Sequence, residues 1–120
     1  MELLTAHDRA RLLANGALRC QAALADPDTT IDFLPVVKLF TPDAGCTWLL
    51  TEIDPEDTDR AFGLCDLGLG FPELGYVSLA ELSTVRGSLN LPVERDLHFV
   101  PTKPLSAYAA EARAARRISA

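Results

Sequence analysis

Apolar residues along this chain change spacing several times, and each change marks an element. The stretch "TAHDRARLLANGALRCQAAL", Thr5 to Leu24, repeats at helical intervals and predicts an opening helix. Thr5 supplies its cap, with the acidic Asp8 three residues on. Leu13, Ala17, Cys20 and Leu24 mark out a narrow apolar face. Asn15-Gly16 is its weak point, because glycine costs a helix interior about 1 kcal/mol relative to alanine.

After the polar connector "ADPDTTID" the period shortens to two. "VVKLFT" reads as a strand, "PDAG" (Pro42 to Gly45) as a turn and "CTWLLTEI" as a second strand. Strict alternation puts Trp48, Leu50 and Glu52 on one face and Leu49, Thr51 and Ile53 on the other, as in a central strand covered on both sides. "DPEDTD" reads as an acidic, solvated loop, "RAFGLCDL" as a third strand and "ELGYVSL" as a fourth, with a glycine-rich turn between them. Ser78 and Glu81 have capping-box spacing for a short helix through about Arg86, with Gly87 as its stop. "VERDLHFV" holds a last strand. From Pro104 a final helix turns Leu105, Tyr108, Ala109 and Ala112 inward. Strands grouped together, and not alternating with long helices, predict an α+β fold. It consists of an antiparallel meander of four to five strands with N-terminal, short middle and C-terminal helices, in one domain over residues 1–120.

Composition narrows the classes of function. Hydrophobic residues make up 48% of the 120 and charged ones 23%, an ordinary globular balance. No apolar run approaches the roughly 20 residues of a membrane helix, and the start lacks the basic and apolar regions of a signal peptide. A cytoplasmic protein without membrane attachment is expected. Cys20, Cys46 and Cys65 are odd in number and widely spaced, so buried reduced thiols are expected and not a disulfide framework. The net charge of −6 disfavours nucleic acid as a partner of the whole surface. The segment from Ser106 nevertheless carries Arg113, Arg116 and Arg117 against Glu111, the placement of cations at a helix C-terminus.

Candidate chemistry is sparse. Gly68, Gly70 and Gly75 miss the dinucleotide-binding spacing, no Lys-Ser or Lys-Thr follows as in a P-loop, and the next element is a strand, so these glycines make a hairpin. Asp66 and Glu73 flank that turn and, with Glu52, would form an acid cluster if their strands were neighbours; solvent-facing strand ends are the simpler reading. On an extended strand Glu94, Asp96 and His98 share one face while Arg95 points away, the strongest candidate for a functional surface. His7 falls in an exposed first helical turn. Cysteine and histidine spacings resemble no zinc set, no nucleophile elbow is present, and a Cys65–His98 pair would need a particular strand arrangement. Trp48, Phe62 and Tyr76 would stack bases if they lined an open sheet. The sequence calls for no cofactor and no metal.

The segments "PVVKLFTPD", "TWLLTEIDPED", "FGLCDLGLGFPELGYVSLAEL" and "LPVERDLHFVPTKPLSAYAAEAR" occur in an order that resembles the bacterial domain-of-unknown-function 2958 family. The resemblance spans nearly the whole chain and departs only in the connector from Ala25 to Asp32. It implies a small stand-alone bacterial protein, often carried on plasmids and integrated conjugative elements, and brings no activity or catalytic residues. Lys38, Trp48, Glu52, Asp66, Glu73, Tyr76, Glu94, Arg95 and Asp96 are its polar and aromatic candidates, beside His98. The resulting expectation is a non-enzymatic accessory protein of mobile DNA that binds another protein, with a host defence system as one target. Alternatives are a nucleic-acid-binding module using sheet aromatics and the arginine tail, and a metal-dependent hydrolase using Glu94, Asp96 and His98 with Asp66 or Glu73.

Overall fold

A computed structural model describes residues 3–120; Met1 and Glu2 lie outside the described residues. The opening helix α1 (Ala6–Ala25) passes through Asn15-Gly16 without a break. Its cap is as expected, with Thr5 Oγ1 accepting the Asp8 N–H at 3.0 Å. Its buried face is not: Leu12 and Gly16 are buried, whereas Cys20 is exposed and Leu24 is 87% exposed. The reason is a backbone contact. A Cβ at Gly16 would lie 1.9 Å from the carbonyl oxygen of Ile53, so the helix touches the sheet where it has no side chain. That contact sets the rotation of the helix, and apolar spacing does not register it.

The strands are β1 (Val37–Phe40), β2 (Thr47–Asp54), β3 (Asp57–Asp66), β4 (Glu73–Ser78) and β5 (Glu94–Arg95), with α2 (Leu79–Thr84) after β4 and α3 (Leu105–Ala115) at the end. They form one antiparallel sheet in the order β4-β3-β2-β1-β5. The first four strands are a meander, and β5 returns to the far side of β1. The fold is α+β, as the grouping of strands predicts.

Most of the acidic segment belongs to a hairpin. Asp57, Thr58, Asp59 and Arg60 already lie in β3, and only Pro55 and Glu56 turn the chain. Asp54 Oδ1 accepts the Glu56 N–H at 2.9 Å, which satisfies the turn locally. Asp59 reaches forward to the start of α2, taking the Ala80 N–H at 2.8 Å and the Ser78 hydroxyl at 2.5 Å. The Ser78 bond and then the Ala80 bond hold its carboxyl below the usual range. Ser78 caps α2 as its spacing predicts, but the helix stops at Thr84, before Arg86 and Gly87.

Alternation fails in β2. The pairing runs Leu49↔Leu64, Leu50↔Gly63 and then Glu52↔Phe62, leaving Thr51 as an extra residue. This bulge moves every later side chain to the other face. Ile53 therefore joins Trp48 and Leu50, and not Leu49, in the larger core with Val37, Leu39, Ala61, Leu12, Leu79 and Leu82. Glu52 leaves the face of Trp48 and Leu50 for that of its partner Phe62. The opposite face carries the smaller core of Leu49 and Leu64 under Leu105, Tyr108, Ala109 and Ala112, the α3 stripe as expected. The sheet is covered on both sides, by α1 and α2 on one and α3 on the other.

The last strand is shorter than "VERDLHFV" suggests. Asp96 donates its N–H to the Lys38 carbonyl at 2.9 Å, and its Oδ1 then accepts the His98 N–H at 2.8 Å and turns the chain. Aspartate so placed competes with ladder bonding. Helix α3 has no cap of its own at Pro104; Asp32, from the connector after α1, accepts the Ser106 N–H at 3.1 Å and also the Ser106 hydroxyl.

The Gly16 contact yields a test. Gly16→Ala should gain about 1 kcal/mol of helix propensity in a free helix, yet destabilise the protein by about 1–3 kcal/mol through overpacking. Urea denaturation of the wild type and the variant reads the difference, and a neutral or stabilised variant would show that α1 does not rest on Ile53.

Candidate functional site at the open edge of the sheet

Two of the acids proposed for chemistry, Glu52 and Asp66, are spent on structure. Glu52 is 4% exposed, in the bulged part of the central strand. Arg19 of α1 reaches it with Nε at 2.5 Å and gives a second donor, Nη2, to the Ile31 carbonyl at 2.8 Å. The guanidinium also lies 5.3 Å from the centre of the Phe33 ring. Thr51 Oγ1 is 3.3 Å from both Glu52 Oε1 and the Phe62 carbonyl. Asp66, 2% exposed, accepts the Gly68 N–H through one oxygen and the Ile118 N–H through the other, each at 2.9 Å. It holds the chain after α3 against the end of β3. Trp48 is buried in the larger core and presents no stacking surface.

The group Glu94, Asp96 and His98 does not form one face, because β5 ends at Arg95. Asp96 pairs with Lys38 at 3.5 Å; the His98 N–H, and then the Lys38 charge, keep its carboxyl below the usual range against partial burial. Lys38 Nζ also donates to the Ala120 carbonyl oxygen at 2.5 Å. Arg95 donates Nη1 to the Leu3 carbonyl at 3.0 Å. His98 stands exposed in the turn. Glu94 lines a cleft of about 850 Å³ with Arg9, Arg86, Leu4 and Val93. Three strands separate β5 from β4, so none of these groups meets Glu73, and β2 and β1 lie between Cys65 and His98. Among the described residues no group of three or more His, Cys, Asp or Glu side chains is placed to hold a metal ion. No described helix is long and apolar enough to cross a membrane.

The opposite edge is different. The turn after β3 is tied by Asp66 and passes through Gly68 and Gly70 at φ of 77° and 86°, where an L side chain is strained. This backbone throws Leu67, Leu69 and Phe71 outward, Phe71 to 75% exposure. Strand β4 follows with Leu74 40% and Tyr76 52% exposed. The apolar positions are contiguous. Phe71 and Leu74 line one hollow of about 520 Å³ with Arg113 and Arg116. Leu74 and Phe62 line the next, under Leu105. The Tyr76 ring stands edge-on to Phe62 at 5.0 Å. Cations border the strip at both ends, because Arg60 sits 4.0 Å from the centre of the Tyr76 ring. Of the sequence candidates, Tyr76, Phe62 and Glu73 lie here, beside Arg113 and Arg116 of the arginine tail. Phe71, Leu74 and Arg60 were not among them; the alternation of Leu67, Leu69 and Phe71 through a turn was the visible signal.

The thiols divide by burial. Cys20 is exposed, contrary to expectation, whereas Cys46 and Cys65 are half-buried, and all three are free. Burial, and then the charge of Glu73, pushes the Cys65 thiol up to about 11. At pH 8 roughly a thousandth of Cys65 is therefore thiolate, the reactive form. Peptide mapping after iodoacetamide treatment at pH 8 should find Cys20 labelled well before Cys65, and comparable rates would contradict the buried setting. For the ion pair, Arg19→Ala should cost about 3–5 kcal/mol because it strands a buried carboxylate. Glu52→Gln should cost less, since Arg19 keeps the Ile31 carbonyl and reaches water. Denaturant titration of the two variants gives the order, and equal losses would show that Glu52 is not held by Arg19.

Neither the comparison with curated proteins nor that with solved structures finds a match. The family described as "Protein of unknown function (DUF2958)" matches residues 3–119, and with four signature segments falling on β1, β2, the β3–β4 hairpin with α2, and β5 with α3, the chain belongs to the DUF2958 family.

Proposed function

We propose that the chain is a non-enzymatic accessory protein of bacterial mobile DNA that acts by binding another protein, and that it binds through the β4 edge. The carrying observation is the contiguous exposed strip of Phe71, Leu74 and Tyr76, extended by Leu67 and Leu69 in the turn. Single exposed apolar residues are ordinary, but a continuous row of large ones is what interaction surfaces present. The family resemblance is the support for the mobile-DNA setting, and the strip is the support for the binding mode.

The nucleic-acid reading retains one specific support, since Phe71 and Tyr76 are exposed beside Arg60, Arg113 and Arg116. It loses Trp48 to the core, and the net charge of −6 opposes phosphate binding elsewhere on the surface.

Tagged wild-type protein and a Leu69→Asp/Phe71→Asp variant, both recovered from the native host, separate these readings. The variant should keep the wild-type circular dichroism and melting temperature, because both side chains are largely exposed. It should lose a co-purifying protein that the wild type and a Leu24→Asp control retain. Identical co-purification by all three would refute the strip. Salt-dependent binding of an oligonucleotide by the wild type, abolished in the variant, would favour the nucleic-acid reading instead.

A further inference from the structure

The two edges of the sheet are unequal. β5 is two residues long and turned away by Asp96, so it offers almost no template. β4 runs six residues in unbroken register with β3, from Glu73↔Cys65 to Ser78↔Arg60, and contains no proline, lysine or bulge. Apart from the ladder with β3, no backbone bond is made from Glu73 to Val77 among the described residues. Natural sheets usually blunt such an edge, and one left regular is a template for a further strand.

We infer that β4 takes an extended segment of its partner as a sixth strand, and that this segment carries two apolar side chains between two acidic ones on the face it shares with Leu74 and Tyr76. The inference rests on the protein-binding reading above and specifies its partner. The spacing follows from the strip. Side chains two residues apart share a face, so apolar residues opposite Leu74 and Tyr76 leave the next same-face positions at the levels of Pro72 and Ser78. Arg113 and Arg116 line the hollow that contains Pro72, and Arg60 is the β3 partner of Ser78. The pattern is acid-x-apolar-x-apolar-x-acid, spanning about 20 Å at the rise of an extended chain.

Charge argues against a second copy as the occupant. Antiparallel self-pairing about Gly75 would set Leu74 against Tyr76 of the copy, but would also bring its Arg60 end toward Arg113 and Arg116. Like charges so placed oppose association, whereas carboxylates satisfy all three guanidiniums.

The probe is a fluorescein-labelled peptide of sequence Thr-Glu-Thr-Val-Thr-Val-Thr-Glu-Thr, titrated with the full chain by fluorescence anisotropy. It should bind saturably, and backbone amides of β4 should exchange with deuterium more slowly in its presence. A peptide with both glutamates changed to lysine should bind at least tenfold more weakly. So should the glutamate peptide toward an Arg113→Glu/Arg116→Glu variant that keeps the wild-type melting temperature. Equal binding of the two peptides, unchanged β4 exchange, or no binding overturns the inference. So does a dimer in sedimentation whose β4 amides are already protected, or displacement of the peptide by oligothymidylate. If the peptide fails while the Leu69→Asp/Phe71→Asp variant still loses its host partner, the strip binds protein by another mode and only the added strand is refuted.

Discussion

The pairing of Arg19 with Glu52 is the constraint on which the rest of the structure turns. Glu52 sits where the central strand has shifted register by one residue, and a buried carboxylate there is tolerable only with a cation and hydrogen bonds around it. Arg19 supplies the cation from α1, and its other donor fixes the Ile31 carbonyl. The next residue, Asp32, caps α3, and the Phe33 carbonyl accepts the Leu105 N–H at 2.9 Å. One guanidinium thus links the helix on one face of the sheet, the bulge in its middle and the connector that starts the helix on the other face. Asn15 adds a bond from its side-chain nitrogen to the Thr51 carbonyl at 2.9 Å, so the bulge is held from α1 at two points.

What was legible follows from how local each signal is. Caps at Thr5 and Ser78 bond within three residues, and the inward stripe of α3 is a plain helical period, so both could be read directly. The glycine-rich hairpin was equally plain, because Gly68 and Gly70 hold positive φ. The faces of β2 were not, since alternation carries no mark for a bulge whose cause lies on another element. Nor was the buried face of α1. A helix that packs through Gly16 places its contact where hydrophobicity is silent, and Leu13 and Ala17 lie one residue from the true face.

The candidate site shows the same division. Reading polar residues as functional picked out Glu52 and Asp66, which are buried because they satisfy backbone and cation, and Asp96, which ends a strand. Residues with an exposed and unexplained character were apolar, and a period-two reading consigns apolar side chains to a core. Only the count of layers corrects this. A core on the α3 side needs Leu49 and Leu64 from the sheet, and α3 spends its stripe on them, so Leu74 and Tyr76 on the neighbouring edge strand are left over.

That surplus also explains why a basic border matters on an acidic protein. At distances beyond the Debye length, about 8 Å at physiological salt, an approaching acidic segment meets the net charge of −6 only weakly. Within that length it meets Arg60, Arg113 and Arg116, with Glu73 in the hollow beside Arg113 and Arg116 and Asp59 already bonded to Ser78 at the Arg60 end. Attraction is therefore short-ranged and acts only on a segment already aligned along β4. Such a surface gains little from electrostatic steering and discriminates late, by register: a strand shifted by one residue turns its acids to the other face and leaves the arginines unpaired. Selectivity of this kind would serve the proposed protein-binding role, in which most acidic surfaces are ignored and one is retained.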